Sequence, residues 1–323
     1  MIHYRPTLFV SSCLEQCACR YDGSMIKDTF IQKLKGHVDL VHACPEMASG
    51  LSSPREALRL VKDGDKTRII HSMSGSDHTQ PMHDASRKIL DDVSSTPIHG
   101  CILKGRSPSC GLKDVKTYKG PGKQVALDVK SAGIFYTHFN QAYPDLPLED
   151  EGRLRNYTIR HHFLTSIYTL SHLDHIKTRG QIKDLVDFQK DLKYLLMAFE
   201  PMGQKDLGRI VANHEGLPVD QVYAAYEKRL KLCLKHDLKP GKTINVLQHI
   251  AGYFSKDLSQ EEKAYFGDQI QAYRDNKLPL PAILTLLYGW VIRFQQDYLS
   301  GQRIFQAYPK NILDLMDSGK GRS

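Results

Sequence analysis

The chain has 323 residues, 41% of them hydrophobic and 25% charged, and a formal net charge of +8. That is enough apolar chain for a full core and enough length for two domains, and it excludes the disordered and fibrous classes. The positive balance favours a polyanionic partner only weakly, because it is spread evenly: 19 Lys+Arg against 15 Asp+Glu before Leu148, and 25 against 21 from there on. The first residues lack the basic start and apolar run of a secretory signal. No later stretch reaches the apolar length of a bilayer span, so a cytoplasmic protein with no membrane contact is expected.

In chain order, β-branched and apolar runs predict strands over residues 7–12, 38–43, 98–103 and 133–139, with a short extra strand over 67–72. Helical patterns over 28–35 and 80–93 lie between them. Strands separated by helices imply an α/β domain with a mostly parallel sheet flanked by helices. Residues 143–152 combine two prolines with Glu149, Asp150 and Glu151 and read as a linker, placing the domain boundary between residues 147 and 148. Beyond it the period is helical over 154–171, 182–199, 206–214, 219–236, 244–255, 260–275 and 282–294, an all-α domain over 148–323. The small, polar tail from Ser318 onward is expected to fray.

Seven cysteines are too few for a disulfide scaffold, and in a reducing compartment they are left with metal binding, catalysis or burial. Three of the expected strands lead into a cysteine at a turn: Ser12-Cys13, Ala43-Cys44-Pro45-Glu46, and the longer 104–111 segment ending in Ser109-Cys110-Gly111. In an open parallel sheet the loops leaving the strand ends gather on one edge, where such folds bind ligands, so three thiols converge. Three thiolates are one short of a closed zinc site or a saturated four-iron cluster. The competing reading, buried small hydrophobes, stays open at this point. Cys17 and Cys19 form a local group with Cys13 at spacings unlike paired metal ligands, and they read as core or spare thiols. Cys101 and Cys233 read as core.

The blocks Ser12-Cys13-Leu14 with Arg20-Tyr21-Asp22-Gly23, Cys44-Pro45-Glu46 with Gly50-Leu51 and Pro54-Arg55, and Ile102-Leu103-Lys104 through Arg106-Ser107-Pro108-Ser109-Cys110-Gly111 together resemble the thiouracil desulfidase family over residues 5–140. The second half is similar to the helical YbgA-like domain, on Phe188 to Met197, Leu207-Gly208-Arg209, Asn245 to His249 with Gly252-Tyr253-Phe254, and Tyr298 to Gln302. The resemblance implies a 4Fe-4S cluster bound by Cys13, Cys44 and Cys110 with the fourth iron open, and Glu46 and Ser107 as the remaining active-site positions. Gln16 and Gly105 depart from the usual glycine and serine of that family.

A hydrolytic desulfuration needs an electrophile for the sulfur and a base for water. The open iron suits the first as a soft Lewis acid, and Glu46, two residues after a ligand, suits the second. Ser107 is placed to orient the water or relay a proton. Arg20, Asp22, Lys104 and Arg106 are candidate substrate contacts. In the helical half, Lys228, Lys231 and Lys235 fall on one helix face, a ridge able to track phosphates. The histidines at 161–162 and 172–175 read as ordinary side chains, and Tyr253, Phe254, Tyr288 and Trp290 as core.

Fused domains of this kind resemble enzymes that remove sulfur from 4-thiouridine in transfer RNA. Two alternatives stand beside that expectation: a desulfidase of free 4-thiouridine monophosphate or thiouracil, and a non-catalytic metal-containing RNA-binding protein. No protein partner is implied.

Overall fold

The structure is a computed structural model and describes residues 3–64 and 66–312, so the tail from Ser318 lies outside the described residues. The described residues divide into two compact units, one from 5 to 171 together with Asn311 and Ile312, the other of His3, Tyr4 and 172–310.

The first unit runs β1 (Thr7–Ser11), α1 (Thr29–Leu34), β2 (Asp39–Ala43), α2 (Pro45–Ala48), β3 (Leu58–Asp63), β4 (Lys66–His71), α3 (Thr79–Val93), β5 (Gly100–Leu103), β6 (Val115–Tyr118), β7 (Lys130–Ser131), α4 (Ile134–Ala142), β8 (Leu148–Asp150) and the start of α5 (Tyr157–Lys177). Its main sheet has the order β2-β1-β5-β8 and is parallel throughout. One face packs Phe9, Cys101 and Leu103 on Ile89 and Val93 of α3 and Phe135 and Phe139 of α4. On the other face Gly100 lies so close to α5 that a Cβ there would meet Ile167 at 2.6 Å and Phe163 at 3.3 Å. Helices on both faces of a parallel sheet are the expected class.

A second sheet, order β4-β3-β6-β7, is mixed: β3 pairs antiparallel with β4 and parallel with β6, and β6 antiparallel with β7. Leu60, Ile69 and Val115 of this sheet close a smaller core with Met82 and Ile134. The extra strand expected over 67–72 is its β4.

Two expectations are corrected. Residues 133–139 are not a strand: the buried residues of α4 are Ile134, Phe135 and Phe139, a helical spacing, and Gly133 caps the helix. The stretch expected as a linker contains β8, whose Leu148, Glu149 and Asp150 pair with Cys101, Ile102 and Leu103.

The second unit continues with α6 (Ile182–Phe199), α7 (Pro201–Ala212), α8 (Val219–Leu234), α9 (Pro240–Gly252), α10 (Gln260–Arg274), α11 (Leu280–Arg293) and α12 (Asp297–Ser300). Its core includes Leu192, Leu196 and Phe199 of α6 with Tyr226, Leu230 and Cys233 of α8; Phe254 and Trp290 are buried in it as expected, whereas Tyr253, also expected in the core, is 41% exposed. Arg229 of α8 is tied to Glu200 at 2.9 Å and to Asp206 at 3.0 Å. No helix among the described residues is long and apolar enough to cross a membrane.

Candidate active site

β1, β2 and β5 are neighbours running in one direction, so the segments that follow them emerge at one edge. Each delivers a cysteine. After β1 the chain turns sharply: the amide of Leu14 donates to the Ser11 carbonyl at 2.9 Å, and that of Ile26 to the Cys13 carbonyl at 2.8 Å. Cys44 is the residue before α2, which starts on Pro45, where a proline is pre-set for the first helical turn. Cys110 follows a loop in which the Ser107 Oγ accepts from the amides of Ser109 and Cys110, both at 3.3 Å. That loop is pinned from behind. A Cβ on Gly111 would meet the Ser107 carbonyl at 2.8 Å, and one on Gly133 would meet the Ser109 carbonyl at 2.3 Å, so only glycine permits this approach.

Cys13, Cys44 and Cys110 line one cavity of about 380 Å³. Burial pushes the Cys13 thiol up to about 12, Cys44 adds to the shift, and Lys104 opposes it. Burial also holds Cys110 well above the ordinary thiol range; the Ser11 hydroxyl opposes this, and Cys13 and Cys44 add to it. Cys44 is shifted the other way, chiefly by a hydrogen bond from Cys19, and that bond is also the main reason Cys19 is raised. Cys19 is therefore a fourth thiol in the cavity wall, 2% exposed. Cys17 is exposed and Cys101 and Cys233 are buried, so the core reading holds for the last two.

Glu46 faces the same cavity with both carboxylate oxygens engaged. Its Oε1 accepts from Ser109 Oγ at 2.6 Å, and Ser109 Oγ stands 2.9 Å from Ser107 Oγ. Its Oε2 is held by Arg55 through Nε at 3.1 Å and through Nη2. The pair is nearly dry, with side chains 4% exposed for Arg55 and 13% for Glu46. Arg55 also donates to the Cys19 carbonyl at 3.0 Å, tying Glu46 to the first cysteine loop. Lys104 Nζ reaches Glu151 at 2.6 Å, and the Gly105 amide donates to the same carboxylate at 2.7 Å. A Cβ on Gly105 would meet the Asp150 carboxyl carbon at 3.1 Å, which accounts for glycine there.

Of the residues expected at the site, Arg20, Lys104, Arg106 and Ser107 line the cavity with the cysteines and Glu46. Asp22 does not; its Oδ1 accepts from the Ser24 amide at 3.0 Å and hydroxyl at 2.6 Å, which builds the turn that carries Arg20. Lys228, Lys231 and Lys235 belong to the helical unit. Lys228 and Lys235 are exposed, and Lys231 is paired with Glu227 at 2.7 Å. Ser109, Arg55, Cys19 and Glu151 were not singled out as site residues from sequence. The Pro54-Arg55 and Ser109-Cys110 blocks carried the only available signal.

Residues 8–151 match the family described as 2-thiouracil desulfurase. Over 123 residues the chain is 33% identical to the uncharacterized protein YbbK of Bacillus subtilis (strain 168), spanning 36% of this chain and 82% of that one. The chain belongs to the 2-thiouracil desulfurase family. Behind the desulfurase unit, residues 193–309 match a family described as a protein of unknown function, DUF1722. The uncharacterized protein YbgA of Escherichia coli (strain K12) is 30% identical over 158 residues, 48% of this chain and 93% of that one. Among solved structures, the [4Fe-4S]-dependent thiouracil desulfidase TudS is similar at 25% identity, covering 46% of this chain and 93% of that chain, with a TM-score of 0.39.

The donor set of the desulfurase unit fits an iron-sulfur group. Three sulfur ligands are soft, and with two of the thiols raised by burial and by their neighbours, three thiolates are costly side by side unless a multiply charged cation sits among them. Among the described residues no three His, Cys, Asp or Glu side chains close around a single ion, whereas a cluster spreads its ligands over separate irons.

Proposed function

We propose that the desulfurase unit holds a 4Fe-4S cluster on Cys13, Cys44 and Cys110 and hydrolyses the thiocarbonyl of 4-thiouridine in transfer RNA, giving uridine and sulfide. The observation that carries this reading is the convergence of three thiols and the Glu46–Ser109 pair on one cavity. When bound, the cluster supplies a soft Lewis acid for the thiocarbonyl sulfur at the iron that lacks a protein ligand. The reaction exchanges C=S and water for C=O and hydrogen sulfide, so no electrons are transferred.

Glu46 acts as the base. Ser109 Oγ, already donating to Glu46 Oε1, hands its proton to that oxygen as it takes one from the attacking water, and Ser107 Oγ, 2.9 Å from Ser109 Oγ, orients the water. Arg55 occupies the second oxygen of Glu46 and so fixes which one faces the relay. Lys104, held by Glu151, places a positive charge beside Cys13. Arg20 and Arg106, in the cavity wall, meet the nucleotide, and Asp22 shapes the turn that carries Arg20. In the helical unit Lys228, Lys231 and Lys235 track the RNA backbone.

The test is anaerobic purification with iron and sulfide analysis. Transfer RNA containing 4-thiouridine, 4-thiouridine monophosphate and thiouracil are then offered side by side while thiocarbonyl absorbance is followed. About four irons per chain and turnover of the RNA are expected. A metal-free or zinc-loaded inert protein would sink the reading. A second reading, a free nucleotide or base as substrate, is favoured by one fact: every residue lining the cavity belongs to the first unit. In the RNA reading, Lys228→Glu with Lys235→Glu lowers the ratio of RNA to mononucleotide turnover; in the mononucleotide reading that ratio does not move.

A further inference from the structure

Beside the cysteine cavity lies a second cleft of about 530 Å³, and the two share Ala57, Leu58, Arg106 and Pro108 in their walls. Three cations of this cleft come from adjacent strands of the second sheet. Lys116 of β6 stands directly opposite Lys130 of β7. The register Leu60 to Thr117 puts Arg59 of β3 next to Lys116 on its other side. Like charges directly opposite one another on a sheet destabilise it, so a row of three across three strands is costly unless something negative lies over it.

The fourth cation, Arg106, stands in both walls in a left-handed conformation (φ 59°) with its side chain 85% exposed. The carboxylate in the lining is Asp114, whose Oδ2 is taken by Arg106 Nε at 3.2 Å, so the lining carries four positive side chains and one negative. Arg59 is pre-positioned. Its Nη1 donates to the carbonyls of Gly120 at 3.2 Å and Gly122 at 2.9 Å, and its guanidinium lies 4.4 Å from the centre of the Tyr118 ring. Its Nε is buried with no hydrogen-bond partner.

We infer that the Arg59–Lys116–Lys130 row is an anion subsite for a phosphate ester of the substrate whose thiolated base enters the cysteine cavity. This rests on the desulfidase reading above, since that reading supplies the base. The phosphate is either the terminal one of a mononucleotide or a backbone phosphate flanking the thiolated residue in RNA, and the chemistry recognised is the same. Charge-assisted contacts to an oxyanion from two lysines and a preset guanidinium favour a phosphate ester over an unphosphorylated nucleoside.

The test compares kcat/KM of the cluster-loaded protein on 4-thiouridine monophosphate and on 4-thiouridine, with the RNA as a third arm, for wild type, Lys116→Ala/Lys130→Ala and Lys116→Arg/Lys130→Arg. The preference for the monophosphate is expected to fall about tenfold or more in the alanine pair and to be kept by the arginine pair. Because the alanine pair removes a directly opposed like-charge pair, its melting temperature is expected to hold or rise. A drop confined to the RNA arm assigns the row to a backbone phosphate, and a drop in both to the phosphate of the thiolated nucleotide itself. An unchanged preference in both arms overturns the proposal. If the wild type desulfurates neither compound, the desulfidase reading has failed, and binding of uridine monophosphate against uridine by calorimetry then decides the subsite. Weaker binding of the phosphate form in the alanine pair supports it, and equal binding overturns it.

Discussion

Glu46 is the side chain whose surroundings say most about its use: one oxygen accepts from Ser109 and the other is held by an arginine that is 4% exposed. Glu46→Gln keeps the shape and removes the proposed base, so a fall of about a hundredfold or more in kcat with iron content unchanged is expected, checked by parallel rate and iron assays. Arg55→Ala leaves the carboxylate in place without its partner. Breaking a buried pair in this way costs about 3–5 kcal/mol, to be read from urea unfolding. Cys13, Cys44, Cys110 and Glu46 were legible in the sequence because each lies in the segment that follows a strand of the parallel sheet, at β1, β2 and β5. Ser109 and Arg55 were not. Their importance lies in a hydrogen bond to Glu46 from 63 residues away and an ion pair across nine, and neither separation leaves a periodic trace. Cys19 was passed over for the same reason, since its contact with Cys44 exists only once two loops have folded together.

Among the elements, three strands of the parallel sheet, β1, β2 and β5, could be read from their apolar runs, whereas its fourth, β8, could not, because Leu148-Glu149-Asp150 is mostly acidic. The second sheet could not. β3 and β6 alternate apolar with charged residues, as in Leu58-Arg59-Leu60 and Val115-Lys116-Thr117, and β7 is two residues long. The aromatic residues at 135, 136 and 139 imitate a strand, but the segment is helical because Gly133 lets the chain turn against the Ser109 carbonyl, where the amide of Phe135 donates at 2.9 Å. That contact joins a helix start to the loop that carries Cys110. Gly133→Ala is therefore expected to cost about 1–3 kcal/mol by overpacking and to lower iron loading together with stability, whereas Gly241→Ala, where no atom lies within 4 Å, is expected to do neither. Urea unfolding and iron analysis on the same preparations check both.

At the scale of the whole molecule, the helical unit carries a pH dependence that the cysteine site does not explain. His172 packs edge-on against Phe188, with ring centres 4.8 Å apart. Burial lowers its pKa from 6.5 to about 3, and the charge of Arg303 adds to this. Below pH 6.5 the unfolded chain takes up a proton that the folded one refuses until about pH 3. The stability this residue contributes is thus complete above 6.5 and is lost progressively as pH falls toward 3. Denaturant unfolding of the intact chain at pH 7, 6, 5 and 4 is expected to show this decline, and His172→Asn to flatten it.

β8 has a consequence for anyone who divides the molecule. All four residues of β5 are buried, and β8 is the strand that covers its outer side. A fragment that stops in the acidic stretch would strip that cover away and lay open a short, wholly apolar edge beside the cysteine loops, the kind of surface on which copies stack edge to edge. Precipitation of such a fragment would report a missing strand, and would say nothing about whether the catalytic half needs its helical companion.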